Sequence, residues 1–407
     1  MKTIKRVFHY VGIVIIYVKT MLGAGVLVLP WASVDLVKSR LVIAWGIILL
    51  LSYPIAHTFA ILIRDNPGAK GLYSIVEKAF GVHAGALAGW YQMFTSIIGI
   101  IIVPLAGAHY IAKSFDLPVV LTYVLAGCIL TASVVLNYLG TGAGDKAAVA
   151  VGGAIIIGLL MTIISTRWYP LTLNVSLEVS GWTSVMSTTV PLAWSLLNWD
   201  SILLAQAQFY NPKRDMIPAV LGAATLTALL NMGVGLSATV IPDQIINPGL
   251  ASIREWFKPF SLLVLVISLN ATYFLVNNLS RVAYWLANDR LAPQWLEHVH
   301  ARYSTPDRAL LTCEFLGVIG LVTTYTLRIQ TVELLSVAIS LGLAGFLLIA
   351  AAGMKLIKSV FGKALASIPA FFCLIAFPFL GSSVWLLLAV TVFCPVYVYW
   401  IERNEGL

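Results

Sequence analysis

Twelve apolar stretches, most of them 20 residues or longer, divide this chain, and the short segments between them hold almost all of its charge. A helix needs about 20 apolar residues to cross the hydrocarbon core of a bilayer. In lipid, each peptide group must also find its partner inside the protein. The stretches lie near 10–34, 41–63, 86–113, 118–138, 147–166, 187–208, 217–240, 259–286, 309–327, 333–353, 364–380 and 382–401. They do not alternate polar with apolar over about 10 residues, as barrel strands do. The expected fold is therefore an all-α integral membrane protein with about 12 transmembrane helices. Composition agrees: 60% of residues are hydrophobic and 10% charged, against about half and a quarter in soluble domains.

The formal charge of +8 does not point to nucleic acid, because the basic residues sit in the loops between spans. With a cytoplasmic N-terminus, 17 of the 25 Lys and Arg fall on the inner side. Positive residues favour the cytoplasmic side, so both termini are expected to be cytoplasmic, in an inner or plasma membrane. No cleavable leader is expected. Cys128, Cys313, Cys373 and Cys394 lie in apolar spans without pairing or metal spacing and read as small core residues. No phosphate-binding loop, metal cluster or nucleophile–base set occurs, so neither an enzyme nor an ATP-driven pump is expected.

Span 1 carries Gly23-Ala24-Gly25, with Pro30 beyond. Glycine weakens a helix by about 1 kcal/mol per position, and a helix interrupted at mid-membrane is the best sequence pointer to a transporter's binding site. Span 6 repeats the pattern: Pro191, then Trp194-Ser195-Leu196-Leu197-Asn198-Trp199-Asp200. Two broken spans five apart predict an inverted repeat of spans 1–5 and 6–10. The core would cover residues 1–353, and accessory spans 11 and 12 with a short tail would cover 354–407.

Four stretches carry a family resemblance: Gly23-Ala24-Gly25-Val26 with Pro30; Pro67 to Tyr73 followed by Ala79-Phe80-Gly81; Trp194 to Asp200 followed by Asn211-Pro212-Lys213-Arg214-Asp215 and Pro218; and Ser280-Arg281-Val282-Ala283-Tyr284 with Asn288 to Pro293 and Thr305-Pro306. In order and spacing, over about 300 residues, they resemble the amino acid–polyamine–organocation superfamily, which has the LeuT-type fold. The short chain with twelve spans is similar to the bacterial exporters of methionine and branched-chain amino acids. The chain departs from the pattern in three places. Asn198 replaces a small residue and Gln208 a glutamate, and no lysine lies between Ala147 and Arg167, where proton-coupled relatives carry one in span 5.

A zwitterionic substrate suits this arrangement. Amides opened at Gly23, Ala24 and Gly25 would face its carboxylate, favoured by the helix dipole. Free carbonyls from Trp194 to Leu197, including that of Ser195, would face its ammonium. The resemblance implies the same roles, whereas packing alone would need glycines only for close helix approach. Trp194 is a candidate lid over the side chain, and the Asn198 amide a candidate substrate contact. Val26 and Leu197 favour a neutral, fairly hydrophobic side chain. Lys19 and Asp200 are ionisable groups inside spans, which are functional by default, although Lys19 could instead snorkel to the headgroups. Lys19 is expected to supply the positive charge at the ion position of this fold, to pair with Asp200, and to be joined by Ser268, Asn270 and Thr272 of span 8. If Lys19 exchanges a proton, transport is proton-coupled; if it stays charged, the protein is an exchanger or facilitator. Sodium coupling is less favoured, and no cofactor is expected.

The expected function is secondary transport of an amino acid by alternating access. Its rivals are an uncoupled exporter or exchanger and, in another class, an amino-acid-sensing membrane receptor. The receptor would need a soluble output element that neither the N-terminal segment nor Glu402–Leu407 supplies. The expected partners are the substrate and the lipid bilayer.

Overall fold

The computed structural model describes residues 2–33, 38–140, 145–165, 179–197, 212–240 and 251–405. Thirteen α-helices and several short 3-10 turns are found there, and no strand occurs among the described residues. The first six helices are α1 Lys2–Ser33, α2 Lys38–Asp65, α3 Leu72–Phe80, α4 Val82–Phe115, α5 Val119–Tyr138 and α6 Asp145–Ser165. Next come α7 Val179–Leu192, α8 Pro212–Val240, α9 Ala251–Asn288 and α10 Asp307–Thr326. The last three are α11 Thr331–Leu356, α12 Val360–Ala376 and α13 Val384–Glu405. Among the described residues, ten helices are long and apolar enough to cross a membrane, and α1 adds an apolar stretch at Tyr10–Leu22. Spans 1 to 5 correspond to α1, α2, α4, α5 and α6, and spans 6 to 12 to α7 through α13.

Helices run past the limits that hydropathy marks. The loop expected at 287–308 holds a 3-10 turn, Gln294–Glu297, and the one at 64–85 holds α3. Span 6 was expected to start near 187, but α7 begins at Val179. Its first turns are rich in Ser and Thr, which lower the hydropathy. Their hydroxyls donate to the helix's own carbonyls, Ser187 to Thr183, Thr188 to Ser184 and Thr189 to Val185, so they are satisfied within lipid. Gly81 joins α3 to α4 at φ 95°, a left-handed conformation, and its N–H caps α3 by donating to the Glu77 carbonyl at 2.7 Å.

One expectation is corrected outright. Helix α1 does not break at Gly23-Ala24-Gly25; it is α-helical from Lys2 to Ser33. Two weak helix formers cost about 2 kcal/mol together, whereas each peptide group left unpaired in hydrocarbon costs several. The closed helix is therefore the cheaper state. Span 6 does change course: α7 gives way to a 3-10 turn at Ala193–Leu196.

The pairings follow the expected repeat. Exchanging each span with the one five later turns the α1–α8 contact into α7–α2, and α5–α9 into α10–α4; all four occur. Helices α4 and α9, equivalent under that exchange, form the central pair. Gly107 lets them approach, since a Cβ there would lie 2.3 Å from Ser268 Oγ. Helix α12 packs on α11 and α2, and α13 on α4 and α11, outside the repeated unit.

A candidate substrate site at the 3-10 turn of span 6

Pro191 has no N–H to give the carbonyl four residues back, which weakens α7 near its end. The chain then tightens: Leu197 N–H donates to the Trp194 carbonyl at 3.2 Å and Ser195 Oγ to the Leu192 carbonyl at 2.8 Å. A 3-10 turn puts residues three apart on one face. Trp194 and Leu197 therefore share a face and line a cavity of about 40 Å³. Ser195 points elsewhere. A Cβ placed on Gly25 of α1 would lie 3.3 Å from Ser195 Cβ and 3.2 Å from Asn231 Oδ1 of α8. Gly25 is thus where α1, the turn and α8 meet.

The rest of the lining includes Gln92, Thr95 and Ser96 of α4, Leu275 and Asn278 of α9, Leu341, Gly342 and Phe346 of α11, and Leu72 of α3. No charged side chain is among them. The indole of Trp194 lies against α4, where a Cβ on Gly99 would be 3.5 Å from its Cη2. Gly342 makes room for Leu197, whose Cδ1 would lie 2.5 Å from a Cβ at that position.

The predicted site residues therefore fall into separate groups. Trp194 and Leu197 line the cavity, and Ser195 and Gly25 form the junction behind it. Gly23 and Ala24 are helical in α1 one turn or less before Val26, which is buried in the core. Asn198 and Asp200 lie outside the described residues, and with them the Lys19–Asp200 pairing.

Lys19 is 6% exposed, and its ammonium lies 4.9 Å from the centroid of the Phe274 ring on α9. Its backbone carbonyl accepts from Asn270 Nδ2 at 3.2 Å. On the α6 side, a Cβ on Gly152 would lie 3.2 Å from Lys19 Cβ, and Ile155, one turn on, is buried. Lys19 therefore sits where α1, α6 and α9 converge, and among the described residues no carboxylate lies within ion-pair distance. The three span 8 candidates divide between two faces of α9. Asn270 and Phe274, four apart, face α1. Ser268 faces α4, 3.4 Å from the Val103 carbonyl, and Thr272 follows Ser268 on that face by register.

At the end of the bundle carrying α3, Asp289 takes an ion pair from Lys70 and a 2.8 Å hydrogen bond from Tyr73 Oη. Nearby, Trp90 Nε1 donates to the Leu291 carbonyl at 2.9 Å. Glu77 of α3 packs against Gly85, and burial first, then the charge of Asp289, raise its carboxyl above the ordinary value, with Lys70 opposing.

Sequence reasoning passed over Asn231, Thr95, Gln92 and Asn278. The side chain of Asn231 is 3% exposed, and its Oδ1 has no partner among the described residues. It is a single amide inside the apolar run Ala228 to Val234, so the rule that flagged Lys19 would also have flagged it. Gln92, Thr95 and Ser96 recur at i, i+3 and i+4, one polar strip on an apolar helix.

The described residues form a helical membrane protein with an irregular turn beside a small uncharged cavity. The chain belongs to the amino acid permease family, which it matches over residues 8–401, and so to the amino acid–polyamine–organocation superfamily. It is a multi-pass membrane protein of amino acid transport and not an enzyme. It is 24% identical to the uncharacterized amino acid permease YecA of Bacillus subtilis over 397 residues, 95% of this chain and 93% of that one. It is 27% identical to the L-methionine/branched-chain amino acid exporter YjeH of Escherichia coli over 226 residues, 53% of this chain and 51% of that one. The uncharacterized transporter Rv1999c of Mycobacterium tuberculosis is 22% identical over 324 residues.

Proposed function

We propose that this protein is a secondary transporter that moves a neutral, fairly hydrophobic amino acid by alternating access, with both termini cytoplasmic. The observation that carries the substrate class is the cavity at the span 6 turn, bounded by Trp194, Leu197, Leu275, Leu341 and Phe346 and by no charge. A cationic or anionic side chain placed there would be desolvated without a partner. The substrate named for the Escherichia coli relative, L-methionine or a branched-chain amino acid, fits the same description. The substrate's carboxylate and ammonium meet α1 and the span 6 turn at the Gly25–Ser195 junction once α1 opens.

Lys19 is the coupling group in this reading. It enters the space between α1, α6 and α9 from α1, next to Gly152 and Ile155 of the span that lacks the family lysine. The second reading, exchange without ion coupling, is favoured by the ring of Phe274, which suits a permanently charged ammonium. Purified protein in liposomes separates the two. Saturable counterflow of leucine or methionine is expected, with a pH dependence that Lys19→Ala removes. Wild-type flux and pH profile in Lys19→Ala would refute the coupling role, and flux without saturation or counterflow would refute the carrier.

A further inference from the structure

Asn231 of α8 holds a hydrogen-bond acceptor in reserve. Its side chain is buried, and its Oδ1 has no partner among the described residues. Asn137, also buried, has its Oδ1 filled by Asn277 Nδ2 at 2.8 Å. The amide of Asn231 faces α1. Thr227, one turn earlier on α8, reaches Met21 Sδ at 4.0 Å, and Gly25 lies one turn beyond Met21. A Cβ on Gly25 would lie 3.2 Å from Oδ1 and 3.3 Å from Ser195 Cβ, so the oxygen stands where α1, the span 6 turn and α8 meet. The described donors at this junction are spent. Ser195 Oγ donates to the Leu192 carbonyl at 2.8 Å, and the Gly25 amide belongs to the continuous helix α1. An amide oxygen only accepts, so its donor must come from outside these groups.

We propose that the side-chain oxygen of Asn231 accepts from the α-ammonium of the substrate and so positions it at the Gly25–Ser195 junction. The inference rests on the transport reading above and deepens it. A neutral, hydrophobic amino acid has hydrogen-bond donors at its ammonium alone; its carboxylate only accepts, and its side chain donates nothing. Two of the span 6 carbonyls are already taken, that of Trp194 by the Leu197 N–H and that of Leu192 by Ser195 Oγ. Asn231 supplies a free acceptor from a third element. A buried oxygen without a partner destabilises the empty state, so the bond formed on binding counts in full. A hydrogen bond to a charged group corresponds to about a 10- to 150-fold change in affinity.

The test replaces the ammonium and keeps the rest of the substrate. L-leucic acid has the carboxylate and side chain of L-leucine, with a hydroxyl in place of the ammonium. Each compound is titrated against labelled L-leucine in liposome counterflow, and against the thermal midpoint of the full chain in detergent. The wild type is expected to take leucine at a concentration at least about 10-fold below leucic acid. Asn231→Leu should raise the leucine value about 10- to 150-fold and leave that of leucic acid nearly unchanged, so the preference for the ammonium collapses. Equal competition by the two compounds in the wild type overturns this inference alone, whether or not the variant folds. A loss shared equally by both compounds in Asn231→Leu also overturns it, because the oxygen would then serve the amides that α1 frees on opening. So does a wild-type leucine value that rises when choline replaces sodium, with no such rise in the variant, since the oxygen would then hold a metal ion. No binding or flux with leucine in the wild type overturns the transport reading, and this contact with it.

Discussion

Gly342→Ala tests whether the cavity at the span 6 turn is the substrate's. A Cβ at position 342 would lie 2.5 Å from Leu197 Cδ1, 2.7 Å from its Cδ2 and 3.2 Å from its Cγ. Carbon atoms pack at about 3.5–4.0 Å, so the end of the Leu197 side chain must move by about 1 Å. It is half-buried and borders a cavity that Gly342 also lines, so that opening offers it somewhere to go. Overpacking of this kind costs about 1–3 kcal/mol. In the empty protein the leucine relieves most of it by swinging into the cavity. Substrate must then push the leucine back, so the cost appears in binding, as a half-saturation about 5- to 150-fold higher. The assay is leucine counterflow in liposomes, with the thermal midpoint of the ligand-free protein measured beside it. Adding Leu197→Ala should restore affinity in the double variant, a coupling of about 1–3 kcal/mol. Unchanged half-saturation in Gly342→Ala, or a double variant no better than the single one, would refute the placement of substrate in this cavity.

Three further outcomes follow from named contacts. Asn137 donates to the Ser133 and Tyr273 carbonyls and accepts from Asn277, joining α5 to α9 inside the bundle. Asn137→Ala should lower stability by about 1–3 kcal/mol, at roughly 0.6–1.7 kcal/mol for each interhelical bond; an unchanged unfolding midpoint in detergent would contradict this. Asn231→Leu removes a buried oxygen that has no partner among the described residues and should raise the ligand-free midpoint, by about 1–3 kcal/mol in stability, while impairing transport; full transport would show that the amide is only a packing residue. The carboxyl of Glu77 is raised above 4.5 mainly by burial. The folded protein therefore holds its proton more tightly than the unfolded chain, and this stabilisation is complete below pH 4.5 and lost as pH rises through the raised value. Glu77→Gln should flatten the fall in unfolding midpoint from pH 4.5 toward neutrality, and an identical slope would count against it.

The spans were legible because lipid imposes a minimum apolar length, and α4, α5 and α11 lie close to where hydropathy put them. The ends of helices were less so. A hydroxyl that donates to its own helix is apolar in effect but polar on any scale, which hid the first turns of α7. The turn at Trp194 could be read from Pro191 and the aromatic cluster. The continuity of α1 could not, because a glycine pair lowers the cost of a break without deciding whether the break is made. Among the site residues, Lys19 stood out as a charge in an apolar run. Thr95 did not, since a helical threonine is ordinary until its hydroxyl is seen to lack the usual bond. That Asn270 and Ser268 serve different neighbours follows from a helix turning 100° per residue, but the identity of those neighbours is a property of the packed bundle.

The closed helix α1 has a consequence for how tightly this protein holds its substrate. If the substrate meets α1 only where the helix has opened, measured affinity is intrinsic affinity multiplied by the fraction of molecules that are open. Parting one turn breaks about three backbone hydrogen bonds, each costing several kcal/mol where nothing replaces it, so the open form is a small fraction of molecules. Gly23 then acts on binding also through how readily the helix opens. Alanine there would make the helix about 1 kcal/mol harder to part and the substrate about fivefold weaker. The glycine pair is in this sense a dial on how often the site exists, and the chain can retune affinity for its cargo by changing how readily one helix comes undone.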